Sequence, residues 1–462
     1  LGLFLGACTR ANTEATAPPD VFAPTPSIEG GPVPSTPPLP PDVEKVAIFP
    51  IDPRTLEALP GYLPMPMGDW TSGVSSPNGR WLALYHGDDT GFNNGTRLVD
   101  VLAWDLVAEW TAEDLQPISV DDEGAVLAID YRGTSPALAR LTVGQERSER
   151  VAELSPYFNL WDRPRSLDDG RLLLMGPVYD ETGAVAHVAI VVVDESTASV
   201  TETALPGVRM GAAEIIDLGE GRTGVLDITP ALAWDDSSER ALIVHAAADV
   251  VTDVNLSSGE TTDHRFGPMT QLDNEAPPLS GATSGDLWTS TRRTAAVTPD
   301  GRMLYIAGQV GEFTDREGTP LSVTTPVGLI AVDTATWEIV DRLDAALSEL
   351  FMSPDGSRLI ASGYYYENSA TTYVGESSGL HLIDSLGLEV ISHHEPEQSN
   401  LYYGPVSFSP DGGLGYITTW VDSAEVMVID LVTGEQIASQ SGDWVQVFGE
   451  VGVMADSAEQ GG

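Results

Sequence analysis

One short phrase recurs along this chain, and nothing else in it constrains the fold as tightly. Ser76-Pro77-Asn78-Gly79 precedes the run Trp81-Leu82-Ala83-Leu84. Thr298-Pro299-Asp300-Gly301 precedes Met303-Leu304-Tyr305-Ile306, and Ser353-Pro354-Asp355-Gly356 precedes Arg358-Leu359-Ile360. Ser409-Pro410-Asp411-Gly412 precedes Leu414-Gly415-Tyr416-Ile417. Weaker copies are Asp121-Asp122-Glu123-Gly124, Leu167-Asp168-Asp169-Gly170 and Trp234-Asp235-Asp236-Ser237. Each reads as a hairpin turn. Proline presets the first turn residue, Asp or Asn bonds the local backbone, and glycine takes the positive φ that side chains resist. Apolar alternation on both sides supplies the strands.

A second element follows each turn: an apolar strand ending in Asp, a tight turn, then another strand. Gly328-Leu329-Ile330-Ala331-Val332-Asp333 and Val426-Met427-Val428-Ile429-Asp430 are two examples. Others end at Asp105, Asp194 and Asp384, with looser ones near Val143 and Asn255. Four strands therefore recur roughly every 45 to 70 residues. That is the sequence form of an all-β fold, a β-propeller of four-stranded antiparallel blades. Sandwiches lack such a repeat, and no long segment of 3.6-residue period argues for α/β. Seven turn units favour seven blades. The alternative is eight. Val46-Ala47-Ile48-Phe49-Pro50-Ile51-Asp52 reads as an unaccompanied second hairpin, and Trp444–Phe448 with Val451–Met454 as its missing first. Pairing the two would close the ring from both termini and leave no open edge.

The phrases Phe408-Ser409-Pro410-Asp411-Gly412 and Val428-Ile429-Asp430-Leu431-Val432-Thr433-Gly434-Glu435 resemble the bacterial YVTN and WD40-like propeller repeats. The resemblance covers roughly residues 44–455. It implies a propeller and is nearly silent on activity. The chain departs from the pattern over 207–247, where the turn is degraded, and in its long insertions.

Cys8 is the only cysteine among 462 residues, and it closes Leu5-Gly6-Ala7-Cys8 behind the apolar Leu1-Gly2-Leu3-Phe4. This resembles a bacterial lipobox, in which the peptide is cut before the cysteine and the thiol and new amino group are acylated. On that reading residues 1–8 are signal remnant and lipobox. The competing reading is a stray buried cysteine. The chain opens on Leu1 rather than Met with no charged leader, so a front portion is expected to precede it. Residues 9–43 read as a tether, because ten of the 33 residues from Ala11 to Val43 are proline and cannot build a core. Residues 44–462 form the propeller domain. A lone cysteine forms no internal disulfide. No stretch reaches the roughly 18 apolar residues of a spanning helix, so membrane contact is expected through lipid on Cys8.

The net charge is −47, and Lys45 is the only lysine among 22 basic residues. This argues against nucleic acid, which requires a basic footprint. It also argues against a polybasic hold on anionic lipid. Aliphatic and aromatic content of 42% excludes a disordered chain. Together these readings place the domain outside the cytoplasm, lipid-anchored in a bacterial cell envelope.

In a propeller, the connections between strands two and three share one face with those between blades. The long insertions 85–97, 176–186, 309–327 and 363–378 fall on that face, as does the segment 267–292. The Pro-Asp-Gly turns face the other way. Long loops grafted on one face of a rigid scaffold are a common source of binding. The candidate contacts there are Asp88, Asp89, Asn93, Asn94, Tyr364, Tyr365, Tyr366, Glu367 and Asn368, with the basic and aromatic group Trp288, Arg292 and Arg293. Tyrosine and asparagine offer area with adaptable hydrogen bonds. A protein or a small polar molecule is the expected ligand; solvated loops with structural tyrosines are the alternative.

Metal and catalytic signals are weak. Asp88 and Asp89 lack the alternating spacing of an EF-hand. His393-His394-Glu395 holds ligand types, but adjacent residues on an extended segment point oppositely. Loosely associated Ca²⁺ suits the charge better than a transition metal, and no cofactor is implied. No Gly-x-Ser-x-Gly elbow, His-Glu-x-x-His or phosphate loop occurs. The leading expectation is a non-enzymatic binding or scaffolding module. An envelope hydrolase, lactonase-like, with its site at the central channel is the alternative, and carboxylates clustered with an arginine or histidine at the channel mouth would favour it.

Overall fold

The computed structural model describes residues 46–455, apart from short stretches of which 88–94 and 270–286 are the longest. Cys8 and the tether lie outside the described residues. The chain enters through β1 (Val46–Pro50) and the short β2 (Met65–Pro66). The first blade is β3 (Trp70–Ser75), β4 (Trp81–Gly87), β5 (Gly95–Asp100) and β6 (Asp105–Trp110). The second is β7 (Leu115–Val120), β8 (Val126–Asp130), β9 (Ala137–Leu141) and β10 (Glu149–Glu153). The third is β11 (Arg165–Ser166), β12 (Arg171–Tyr179), β13 (Val185–Asp194) and β14 (Ser199–Leu205). A hairpin, β15 (Gly211–Gly219) and β16 (Arg222–Thr229), intervenes before the blade β17 (Ala231–Asp235), β18 (Arg240–Val244), β19 (Val250–Asn255) and β20 (Thr261–Arg265).

Two longer units follow: β21 (Leu287–Val297), β22 (Met303–Arg316), β23 (Thr319–Asp333), β24 (Glu338–Leu343), and then β25 (Glu349–Met352), β26 (Arg358–Asn368), β27 (Tyr373–Asp384), β28 (Val390–His394). They join the β15–β16 hairpin in one ten-stranded sheet. The blade β29 (Tyr402–Phe408), β30 (Leu414–Trp420), β31 (Ala424–Asp430) and β32 (Gln436–Gly442) comes next. Last are β33 (Trp444–Phe448) and β34 (Val451–Ala455), which pair with β1 and β2 in the order β2-β1-β34-β33. This is an all-β propeller arrangement with five blades of four consecutive strands and no helix among the described residues. The shared terminal sheet is the pairing that the eight-blade alternative requires.

The recurrent phrase works as its chemistry dictates. Ser353 Oγ donates to Asp355 Oδ1 at 2.6 Å and accepts the Arg358 amide at 2.9 Å. Asp355 Oδ1 also accepts the Ser357 amide, and Gly356 follows at φ +72°. Ser76, Thr298 and Ser409 repeat the pattern. In the degenerate copy Asp121 Oδ1 itself accepts the amides of Glu123 and Ala125.

The second turn of five of the four-stranded units is also built on one acceptor. Asp100, Asn255, Asp333 and Asp430 each accept two amides in the turn that follows them, and Asp384 one. The third strand of the first blade thus ends at Asp100 rather than Asp105, which opens the fourth. Four residues past each acceptor the backbone turns left-handed, at Trp104, Gly259, Trp337, Leu388 and Gly434. Asp52 accepts two amides in the same way, with Leu56 left-handed, so β1 ends as a third strand does.

First strands touch first strands of neighbouring units, β3 with β7, β17 with β21 and β21 with β25, so they surround the axis. The core lies as slabs between successive sheets. Trp81, Leu98 and Trp110 pack on Val126 and Leu141, while Leu173 and Ile190 pack on Leu232 and Ile243. Ile51 and Leu56 pack on Leu414 and Val428. The first-hairpin turns nest side by side: the Asn78 amide donates to Asp122 Oδ1 at 3.0 Å, and Gly301 and Gly356 lie against Asp235 and Pro299.

A Cβ at Gly356 would sit 2.4 Å from Pro299 Cδ, whereas one at Gly79 meets nothing within 4 Å. Both carry positive φ, which alone costs an alanine about 1–2 kcal/mol. Gly356→Ala is therefore expected to lose clearly more stability than Gly79→Ala in urea unfolding. Equal losses would mean that the turns do not pack on one another.

Candidate functional site

The insertions 309–327 and 363–378 are not open loops. They are the far halves of β22–β23 and β26–β27, and they zip together: Ser322 pairs with Asn368 and Thr324 with Tyr366. On the other flank β16 runs parallel to β21, from Gly224 opposite Leu287 to Thr229 opposite Arg292. The result is a continuous platform of extended strands on one face of the propeller. Its interior is polar but satisfied. Thr289 Oγ1 donates to the Val323 carbonyl at 2.9 Å, Thr291 Oγ1 accepts the Gly311 amide at 3.0 Å, and Gln309 Nε2 donates to Ser290 Oγ at 2.7 Å.

At the platform's foot three first strands meet. Arg292 of β21 is ion-paired with Glu349 of β25, and Tyr402 Oη of β29 lies 3.5 Å from Glu349 Oε1. The Arg292 and Glu349 side chains are 22% and 10% exposed, so this pair is largely out of water. Burial opposes the Arg292 charge, but Glu349, Tyr402 and Tyr366 together outweigh it and the guanidinium is held more firmly protonated. Burial raises Glu349 despite Arg292. Burial, then the Glu349 charge, pushes Tyr402 up to about 12. Asp227 of β16 is also raised by burial, with Arg292 and the Thr229 hydroxyl partly offsetting it.

Aromatic rings flank this cluster. Tyr402 stacks on Trp420 at 6.2 Å between centroids, and Tyr364 meets Tyr402 edge-on at 5.8 Å. A side chain at Gly404 would collide with the Trp420 ring and one at Gly375 with the Tyr364 hydroxyl.

The candidates from sequence separate accordingly. Asp88, Asp89, Asn93 and Asn94 lie outside the described residues. Tyr364, Tyr365, Tyr366, Glu367 and Asn368 lie on β26, all half-buried. Tyr365 Oη and Arg316 Nη2 both donate to Glu367 Oε1, a platform ion pair. Tyr366 interacts with Arg292. Arg292 and Arg293 do not form one basic group, because neighbouring strand residues point to opposite sides. Arg293 is 2% exposed and donates to the carbonyls of Arg292 and Gln309, with Asp249 nearby. Trp288 is 43% exposed on the platform's flank.

Glu349, Tyr402, Trp420 and Asp227 were not singled out from sequence. Glu349 and Tyr402 open β25 and β29, Trp420 closes β30 and Asp227 lies near the end of β16, positions that need blade boundaries to be read. Among histidines, His381 and His393 face each other across β27 and β28, with rings stacked at 4.2 Å. No group of three or more metal-ligating side chains occurs among the described residues.

No protein-family model and no curated protein matches this chain. Among solved structures it is similar to the dihydro-heme d1 dehydrogenase NirN in complex with DHE, at 13% identity and TM-score 0.43, over 86% of this chain and 72% of that one. TolB from Acinetobacter baumannii shares 12% identity at TM-score 0.35, over 83% of this chain and 78% of its own. Hydrazine synthase of Kuenenia stuttgartiensis shares 12% at 0.41, over 82% and 100%. Likenesses at this level say nothing about activity.

Breaking the ion pair should be costly. Glu349→Ala strands the Arg292 charge and is expected to cost about 3 kcal/mol in urea unfolding. A loss within error of zero would mean that water reaches the pair freely.

Burial, then His393, holds the His381 imidazole down at about 4. The unfolded histidine titrates near 6.5, so the fold binds this proton less readily. The contribution is complete above about pH 6.5 and is lost as pH falls towards 4. His381→Phe should therefore lose less melting temperature than the parent between about pH 7 and about pH 4.5. Identical losses would show that the site is not titrating.

Proposed function

We propose that this chain is a lipid-anchored, extracytoplasmic β-propeller that acts as a binding or scaffolding module in a bacterial cell envelope, with its partner on the platform face. The observation that carries this reading is the platform itself. Two blades extend their hairpins well beyond the ring and spend them on mutual pairing, so one face gains a rigid, shaped surface. Half-buried tyrosines, the exposed Trp288 and the Arg316–Glu367 pair give it the mixed aromatic and polar character of a contact surface. The anchor and the location rest on the lipobox and the proline-rich tether. Among the described residues no helix is long and apolar enough to cross a membrane.

The proposed ring has eight blades. Five are the independent four-stranded sheets, two are the units β21–β24 and β25–β28 within the ten-stranded sheet, and the eighth is the sheet shared by the termini. In support, β33 packs against β31 on one flank and β3 on the other.

One observation favours the hydrolase alternative: Arg292 gathers Glu349 and Asp227 at the channel mouth. Against it, Arg292 and Glu349 are already engaged with each other, so neither is poised towards an incoming group.

Fractionation tests the anchor. The parent should pellet with membranes, and Cys8→Ser should move to the soluble fraction with an unchanged melting temperature. A variant still in the membrane pellet would contradict lipid anchoring. For the platform, a partner retained from envelope extract by the parent should be lost with Trp288→Ala and Glu367→Arg while folding is kept. Retention by both variants would place binding elsewhere, and ester hydrolysis abolished by Glu349→Gln would favour the enzyme.

A further inference from the structure

Val46, the first described residue, lies at the platform end of β1. The turn after β1 is on the opposite face: Asp411 is held below the usual carboxylate range by Ser409, the local amides and then the charge of Arg54, and Arg54 also acts on Asp430. Val46, at the other end of β1, is therefore at the platform end of its strand. It pairs with Ala455, which pairs in turn with Trp444, the first residue of β33. Two strand spacings put Val46 about 10 Å from Trp444. The neighbouring blade, on which β33 packs, is a further ~10 Å away. At the platform end of that blade, Tyr402 and Trp420 are paired across β29 and β30.

The chain that would arrive there is chemically distinctive. Thr36-Pro37-Pro38-Leu39-Pro40-Pro41 carries no charge in a protein of net charge −47. Five links from Val46 back to Pro41 span about 17 Å, and the start of the stretch lies about 35 Å away along the chain. The stretch therefore reaches the blade that holds Tyr402 and Trp420. Proline-rich segments are preset towards an extended helix and lose little entropy when they dock on aromatic-lined grooves. Tyr364, Tyr402 and Trp420 form such a shelf: three half-buried rings, two stacked and one edge-on, seated by Gly375 and Gly404.

We propose that Thr36–Pro41 docks on the Tyr364–Tyr402–Trp420 shelf of its own molecule. The docked tether then fixes how the propeller hangs from its anchor and covers part of the platform face. A partner on that face has to displace it or bind beside it. The inference rests on the platform reading for the importance of the surface, but the docking itself needs neither lipid nor partner.

The test uses the full chain with Cys8→Ser and Ser35→Cys, labelled at residue 35 with bimane, a fluorophore quenched by indole and phenol rings in contact. The label should be severalfold dimmer than in the same protein carrying Trp420→Leu. It should also brighten when Pro37, Pro38, Pro40 and Pro41 are all replaced by serine, a change confined to the tether that cannot unfold the propeller. The dimming should not depend on protein concentration. Equal brightness in all three proteins would overturn the proposal. So would quenching that survives the serine replacements, or quenching that disappears on dilution and so reports the tether of a second copy. Because no lipid or partner is present, such a failure leaves the fractionation and partner results standing.

Discussion

The fold depends on a hydroxyl and a carboxylate acting together in a turn. In Ser353-Pro354-Asp355-Gly356 the Ser353 hydroxyl donates a hydrogen bond to Asp355 and accepts one from the amide of Arg358. That exchange closes the first hairpin of the blade. The amide of Ser385, one residue past the acceptor Asp384, then donates to the carbonyl of Ser357. The equivalent bond joins Val101 to Arg80, Leu256 to Glu239, Thr334 to Arg302 and Leu431 to Gly413. One hairpin is thus fastened to the other in these five units, at the end that carries the short turns. Arginines strengthen the joint, with Arg80 on Asp100 and Arg358 on Asp384, both at 2.8 Å. Pairs of this kind on an exposed rim are individually weak, and repetition around the ring gives them their effect.

With the turns fixed, the apolar slabs follow. Each sheet buries residues of alternating parity against the sheet before and the sheet after. Neighbouring core clusters therefore share strands without merging: Leu172 and Leu174 face the second blade, while Leu173 and Met175 face the blade formed by β17–β20. No blade can bury both faces alone, so stability is cooperative around the ring. A linear stack would leave two apolar faces bare. Pairing β1 with β34 removes them, and it places Val46 at a seam.

Much of this was legible in the sequence, because the signals are local. The Ser-Pro-Asp-Gly phrases mark hairpins within four residues, and the terminal runs Val46–Asp52 and Trp444–Met454 are visibly half-units. The second turn was less legible. Its left-handed position is filled by Trp104, Trp337 and Leu388 as well as by glycine, so the usual signature is missing. The strand end consequently slipped from Asp100 to Asp105. The insertions 309–327 and 363–378 were misread as loops. Nothing within 363–378 announces that it pairs with 319–326, because that pairing is set by how two blades sit side by side. The candidate site suffered most. Arg292 stood out as a basic residue in an acidic chain, yet Glu349 and Tyr402 come from two other blades and one carboxylate among 69 Asp and Glu carries no mark.

The functional picture turns on asymmetry between the two faces. One is a rim of short, hydrogen-bonded turns rich in carboxylates. The other bears the platform, the aromatic shelf and the start of β1. All of it presupposes that both ends of the chain share a sheet. The most direct measurement is a cross-link between them in the Cys8→Ser background. Ala47 lies opposite Met454, and Ile48 opposite Val453. Adjacent antiparallel pairs alternate in spacing, so one of the two cysteine pairs suits a disulfide. Under oxidising conditions one double variant should form an internal cross-link almost completely and melt at a higher temperature than its reduced form. Cysteines that stay free in both double variants, in a protein that remains folded, would contradict the closed ring.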